Sequence, residues 1–288
     1  MKRHYKSQEI VPPWVRFFLI IVLATFVLIP VVYMLLLSVT PDSEINTGQL
    51  LPSHWAFENY VQIWSTIDLG QGLVNSIVIS MTASTIAVFL AVGAAYVITR
   101  FSFRGRVAYL YALVGLQAIP GVMLLLPLFV LFISIQSFIH VELVGTYTGV
   151  IITYLTFSLP FATWLLITYL ANIPLDIEEA AMIDGATRLQ TLWRIVVPLA
   201  LPGLVVALVF AFLTGWNDVL FASVLTSPET QTVGVQLQVF SASQEGGALP
   251  LYGQLMSAAL VSGLPVVILY LVFQKYLIGG LTAGSVKG

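Results

Sequence analysis

The sequence predicts an all-α integral membrane protein with six transmembrane helices. Three observations carry that prediction. The 288-residue chain is 59% hydrophobic and only 8% charged, with a mean hydropathy of +0.98, whereas a soluble domain has about 25% charged residues. Six apolar runs are long enough to cross a hydrocarbon core of about 30 Å, which takes about 20 helical residues. All 11 lysines and arginines then fall on one side of the resulting topology. A single membrane domain, residues 1–288, accounts for the chain, with no low-complexity segment and no separate soluble domain.

The first run, residues 17–39, follows Lys2, Arg3, Lys6 and Arg16. It is too long for the apolar stretch of a secretory signal, and no small-residue cleavage site follows Val39, so a retained span is expected. The loop behind it mixes Asp42, Glu44, Glu58 and Asp68 with Trp55, Phe57, Tyr60 and Trp64. Such aromatics favour the headgroup level, which predicts an interfacial segment; a landing surface for an extracytoplasmic partner is the alternative.

The second run, 73–99, is followed by Arg100, Arg104 and Arg106. The third, 107–135, is longer than a span needs and contains Pro120-Gly121 and Pro127, so it is expected to kink or break. The fourth and fifth runs, 147–171 and 199–225, enclose Arg188 and Arg194, and the sixth, 255–274, precedes Lys275 and Lys287. The three remaining loops hold no Lys or Arg. By the positive-inside rule both termini and the basic loops face the cytoplasm. The outer stretch 226–254 is polar, with Gly234, Gly246, Gly247 and Pro250 as turn formers, and is longer than joining two spans requires.

The loop between the fourth and fifth runs predicts a helix–turn–helix. Pro174 suits the first turn of a helix, where its missing N–H would be unpaired anyway. Asp176, Glu178 and Glu179 then place negative charge at the positive end of the helix dipole. Gly185 stands where a left-handed C-terminal turn would exclude a Cβ. Thr187 and Gln190 fit a capping box for a second helix running to Pro198. Ile177, Ala180, Ala181 and Asp184 share helical spacings, so small side chains would let a partner approach closely.

Glu179-Ala180-Ala181, then Gly185, Ile195 and Pro198, resembles the signature of inner-membrane permease subunits of bacterial and archaeal ABC importers. Val197 replaces the usual leucine. The resemblance implies that this segment is a cytoplasmic coupling helix that docks on an ATPase subunit through Glu179, Ala180, Ala181, Asp184, Gly185, Ile195 and Pro198. Further stretches resemble the carbohydrate-importing branch: Asn75-Ser76, Ala94-Ala95-Tyr96, Ser158-Leu159-Pro160-Phe161 and Trp216-Asn217-Asp218. The end of the chain, from Gly280 to Gly288, is similar to the tail of the smaller permease subunit of maltose-type importers. That likeness implies an ATPase-interface tail through Thr282, Ala283, Gly284 and Lys287. It also implies a binding-protein loop at Gln244, Glu245, Gly246 and Gly247.

The partners so implied are a second permease subunit, two cytoplasmic ATPase subunits, an extracytoplasmic solute-binding protein and a sugar, in the lipid bilayer of a cytoplasmic (inner) membrane. No nucleic-acid partner is expected. Gln117, Tyr154, Thr214, Asn217 and Asp218 are candidates for a translocation path, because hydroxyls and amides can replace water around a polyol; helix–helix contact is the other reading of them. Asp218 is the sole acidic residue in a span, and a role accepting hydrogen bonds from a neighbouring helix is favoured for it. No phosphate-binding loop of the G-x-x-x-x-G-K-[ST] type is present, so no ATPase site is expected. With no cysteine, with His4, His54 and His140 outside the spans and with no H-E-x-x-H pattern, neither a metal site nor an intramembrane hydrolase is expected. No cofactor is expected. The alternative function is a secondary transporter or channel for a small polar solute, for which one peripheral acid is poor material.

Overall fold

The computed structural model describes residues 12–45, 51–244 and 251–282, with side chains to residue 277. Among these, regular structure is helical and no strand forms, with an isolated bridge between Gly145 and Thr226. The helices are α1 (Pro13–Ser38), α2 (Asn59–Thr66), α3 (Leu69–Arg100), α4 (Arg106–Ala118), α5 (Leu125–Ile139), α6 (Tyr147–Ala171), α7 (Leu175–Ile183), α8 (Arg188–Thr191), α9 (Val197–Leu199), α10 (Leu201–Trp216), α11 (Leu220–Leu225), α12 (Val233–Gln244) and α13 (Tyr252–Thr282). Five described helical stretches are long and apolar enough to cross a membrane, or six if the bent pair Arg188–Leu199 and Leu201–Trp216 is one span.

The third apolar run breaks as expected. Helix α4 stops at Ala118, Ile119 turns extended before Pro120, and a 3-10 turn at Gly121–Leu124 leads into α5. The fifth run departs from one continuous helix over 199–225. It breaks at Asn217–Val219, where Asp218 starts a new helix with its own carboxylate, while a 78° bend at Ala200 separates its start from the helix expected to run to Pro198. The outer stretch 226–254, read as polar and turn-rich, contains the 12-residue helix α12. Gly234 falls in its first turn, where intrahelical donors are unpaired in any case.

The chain divides into two compact units. The first comprises Met1–Trp64 and Ser243–Val261. Its centre is polar: Asn59 Nδ2 and Ser257 Oγ each donate to the Ser38 carbonyl at 3.0 Å, and Gly253 N–H donates to Asp42 Oδ1 at 2.8 Å. Burial pushes the Asp42 carboxyl above the usual carboxylate range, against the opposing pull of the Gly253 amide. Helix α1 exposes nearly all of its apolar side chains, as a lipid-facing helix must. The loop before α2 stacks Trp55 on Phe57.

The second unit comprises Ser65–Ala242 and Ser262–Gly288. Helices α3, α6 and α10 pack on one another at its heart. Ala83, Ala87, Ala91 and Ala95 recur every four residues on α3 and are buried, so small side chains let the helix axes approach, the usual basis of packing in lipid. Gly215 extends this principle to α10: a Cβ there would lie 2.7 Å from the Tyr154 ring and 3.0 Å from Ser80 Oγ. The Ser80 hydroxyl itself is buried without a hydrogen-bond partner.

Candidate functional site

Helix α7 begins one residue after Pro174 and carries Asp176 and Glu178 in its first turn. Its end is built by backbone geometry alone. Gly185 has φ of +89°, Gly185 N–H donates to Met182 O at 3.1 Å, and Ala186 N–H donates to Ala181 O at 3.0 Å. These are the paired bonds of a left-handed glycine terminus. Two residues later the capping box forms: Thr187 N–H donates to Gln190 Oε1 at 2.8 Å, and Gln190 N–H donates to Thr187 Oγ1 at 3.3 Å. The second helix is not uniform, for α8 passes through a π-helical turn at Leu192–Val196 before α9.

The faces of α7 differ sharply. Ala181 and Glu178 are buried, whereas Glu179, Ala180, Asp184 and Gly185 are exposed. Ile183 is 86% exposed, and Leu175, Ile177 and Leu189 also present apolar surface. Of the remaining signature positions, Ile195 is half-buried and Pro198 is exposed.

Glu178, which the motif does not include, ties α7 to the end of α3. Its Oε1 accepts from Arg100 Nε at 2.6 Å and its Oε2 from the Tyr96 hydroxyl at 3.0 Å. Arg100 Nη2 also donates to the carbonyls of Leu170 and Ile173, at 3.0 and 3.1 Å. A sequence signal existed: an acid in the first turn of α7 and an arginine ending α3 were both assigned to the cytoplasmic side.

The path candidates divide. Tyr154, buried on α6, donates its hydroxyl to Asp218 Oδ2 at 3.0 Å. Asp218 in turn accepts from the amides of Phe221 and Ala222, at 3.3 and 3.0 Å. Thr214 and Asn217 are exposed on the last turn and cap of α10, with the Thr214 hydroxyl turned onto the Phe210 carbonyl. Gln117 lies apart on α4, its amide on the Leu113 carbonyl. Gln244 ends α12 and donates to Ser243 Oγ. Glu245, Gly246, Gly247, Ala283, Gly284 and Lys287, and the side chain of Thr282, lie outside the described residues.

A second polar cluster forms a rim that sequence reasoning noticed only as the pair Asn75-Ser76. Asn75 Nδ2 donates to the carbonyls of Glu229 and Gln231, at 3.0 and 2.8 Å, while its Oδ1 accepts from Tyr147 and Gln71. Ser76 Oγ accepts from Val233 N–H at 2.8 Å, at the start of α12. Ser227 and Thr230 hydroxyls donate to the Gly145 carbonyl. Loop 226–232 is thus fixed to α3 through Asn75, and loop 140–146 is fixed in turn to loop 226–232 through Ser227 and Thr230.

Several apolar helices of membrane-crossing length, together with a glycine-terminated hairpin that exposes apolar side chains, define a multi-pass membrane protein. The chain belongs to the family of binding-protein-dependent transport system inner membrane components, whose model matches residues 83–282. Members are transport components of the inner membrane.

The trehalose transport system permease protein SugB of Mycobacterium tuberculosis is 36% identical over 264 residues, covering 91% of this chain and 93% of the relative. The trehalose/maltose transport system permease protein MalG of Thermococcus litoralis is 34% identical, covering 93% and 94%. The diacetylchitobiose uptake system permease protein NgcG of Streptomyces coelicolor is 32% identical, covering 93% and 87%. In fold, the chain is similar to a chain in the crystal structure of a bacterial ABC transporter involved in the import of the acidic polysaccharide alginate. The TM-score is 0.76 at 23% identity, with 91% of this chain and 95% of that chain covered.

Proposed function

We propose that this chain is one half of the translocation path of an ATP-driven sugar importer, working as a single six-span membrane domain with both termini in the cytoplasm. Helix α7 is its coupling helix, and the chain has no ATPase site of its own. The observation that carries this reading is the two-sided character of α7. Its inner face is anchored through Ala181 and Glu178, while Glu179, Ala180, Asp184 and Gly185 stay exposed beside the apolar Ile177 and Ile183. A short helix that ends on a bare glycine and offers an unpartnered apolar patch suits a groove on a cytoplasmic ATPase subunit. Ile195 and Pro198 carry that contact into the bent fifth span.

The remaining partners are a second permease subunit, a second ATPase and an extracytoplasmic binding protein. The segment from Gln244 through Gly247 serves as the loop for the binding protein, and Thr282 through Lys287 as the tail at the ATPase interface. Relatives named for trehalose, maltose and diacetylchitobiose support a disaccharide or short oligosaccharide as solute. Thr214, Asn217 and, apart from them on α4, Gln117 are exposed polar groups suited to contact with it, while Tyr154 and Asp218 support the helix break at Asn217–Val219. Uptake of labelled maltose and trehalose into proteoliposomes holding the whole complex tests the reading. It should require hydrolysable ATP and stop with a non-hydrolysable analogue; uptake unaffected by that exchange would return the alternative of a secondary transporter or channel.

A further inference from the structure

We infer that the buried Arg100–Glu178 pair is a positioning joint that fixes the direction in which α7 leaves the spans, and so sets how much ATPase motion becomes transport. The inference rests on the reading of α7 as the docking helix. The pair joins three pieces of chain through one guanidinium. Arg100 is the last residue of α3; its Nε binds Glu178 of α7, and its Nη2 binds the carbonyls of Leu170 and Ile173 at the end of α6. Both side chains are nearly sealed, 6% and 4% exposed. Tyr96 supplies the second bond to the carboxylate, so both carboxylate oxygens are occupied. Helix α8 enters the same joint, because Arg188 sits 5.1 Å over the Phe101 ring, which meets Tyr96 edge-on.

Stability alone is a poor explanation for such a pair. Two buried charges lose their hydration, and an apolar replacement of similar volume is often as stable or more so. What a planar guanidinium adds is direction, since its donors hold fixed angles, whereas apolar side chains let one helix slide over another. With Glu178 turned inward, helical geometry presents the adjacent Glu179 and Ala180 outward. A lost joint therefore misdirects the docking surface without touching it.

The test uses the whole complex in proteoliposomes with labelled maltose and trehalose, and reads solute moved per ATP hydrolysed. Glu178→Gln keeps the shape and removes the charge; Arg100→Lys keeps the charge and removes the fork. In complexes that assemble, both should move about tenfold less solute per ATP than wild type, a loss within the range of ordinary site-to-site coupling. Tyr96→Phe, which spares the ion pair, should lower the ratio less. A role confined to folding reduces the amount of complex but leaves the ratio at its wild-type value, and that result overturns the inference. If Glu178→Gln and Arg100→Lys do not assemble, Tyr96→Phe decides, and an unchanged ratio overturns the inference again. A wild-type permease that binds no ATPase subunit would instead overturn the docking reading itself.

Discussion

Replacing Gly185 separates backbone strain from lost contact, because a Cβ built there meets no atom within 4 Å. Any effect on α7 must then come from φ, which is +89°. In the left-handed region a Cβ costs about 1–2 kcal/mol, asparagine is tolerated better than other residues, and a β-branched side chain is a true outlier. If valine abandons that conformation, the bonds from Gly185 and Ala186 to Met182 and Ala181 are lost as well, each worth about 0.5–1.5 kcal/mol net. At about 1.4 kcal/mol per tenfold, ATPase association should weaken about tenfold in Gly185→Ala and about a hundredfold in Gly185→Val. Gly185→Asn should stay near wild type. Titrating ATPase subunits onto the detergent-solubilised permease gives the affinities. Uptake per inserted permease should follow the same order, Gly185→Val being inactive though normally inserted. Wild-type affinity and uptake in Gly185→Val would refute the argument; so would an asparagine variant as damaged as the valine one, since volume rather than backbone would then be decisive.

Asp218→Ala should lower thermal stability in detergent by about 2 kcal/mol, because it leaves the buried Tyr154 hydroxyl without an acceptor and uncaps α11; Asp218→Asn should recover most of the loss. Asn75→Leu removes the donor to two loop carbonyls, and hydrogen exchange at the Thr230 and Val233 amides should speed up while α6 stays protected. Cysteines introduced at Glu142 and at Gly105 test orientation: an impermeant thiol reagent added to intact cells should label the first and spare the second.

Local backbone rules made much of α7 and α8 legible. Gly185 and the Thr187–Gln190 box act within five residues of themselves, and Pro120-Gly121 marks its own break. The choice between Glu178 and Glu179 is different in kind. Both are acids in the same helix, and which one turns inward depends on where Arg100, 78 residues away, meets the helix. Periodicity alone does not supply that phase. The bend at Ala200 was legible too: it falls where the helix expected to run to Pro198 meets the apolar run 199–225. Pro198 and Pro202 flank that boundary. The break at Asn217–Val219 is signalled by Asp218 itself, an acid whose carboxylate bonds the amides of α11. Helix α12 was obscured by reading Gly234 as a turn former, although a glycine in a first helical turn costs little when the residues after it pack. Val235 and Phe240 are buried.

The central claim is that α7 meets a cytoplasmic ATPase, and matched photo-cross-linking tests it most directly. Ile183 on α7 and Phe138 on α5 are equally exposed, 86% each, but the proposed orientation puts them on opposite sides of the membrane. A photoreactive residue at Ile183 should join the permease to an ATPase subunit in membranes, with the yield changing on ATP binding, and one at Phe138 should not. Equal ATPase cross-linking from both positions, or none from Ile183 in a complex that transports, would contradict the account.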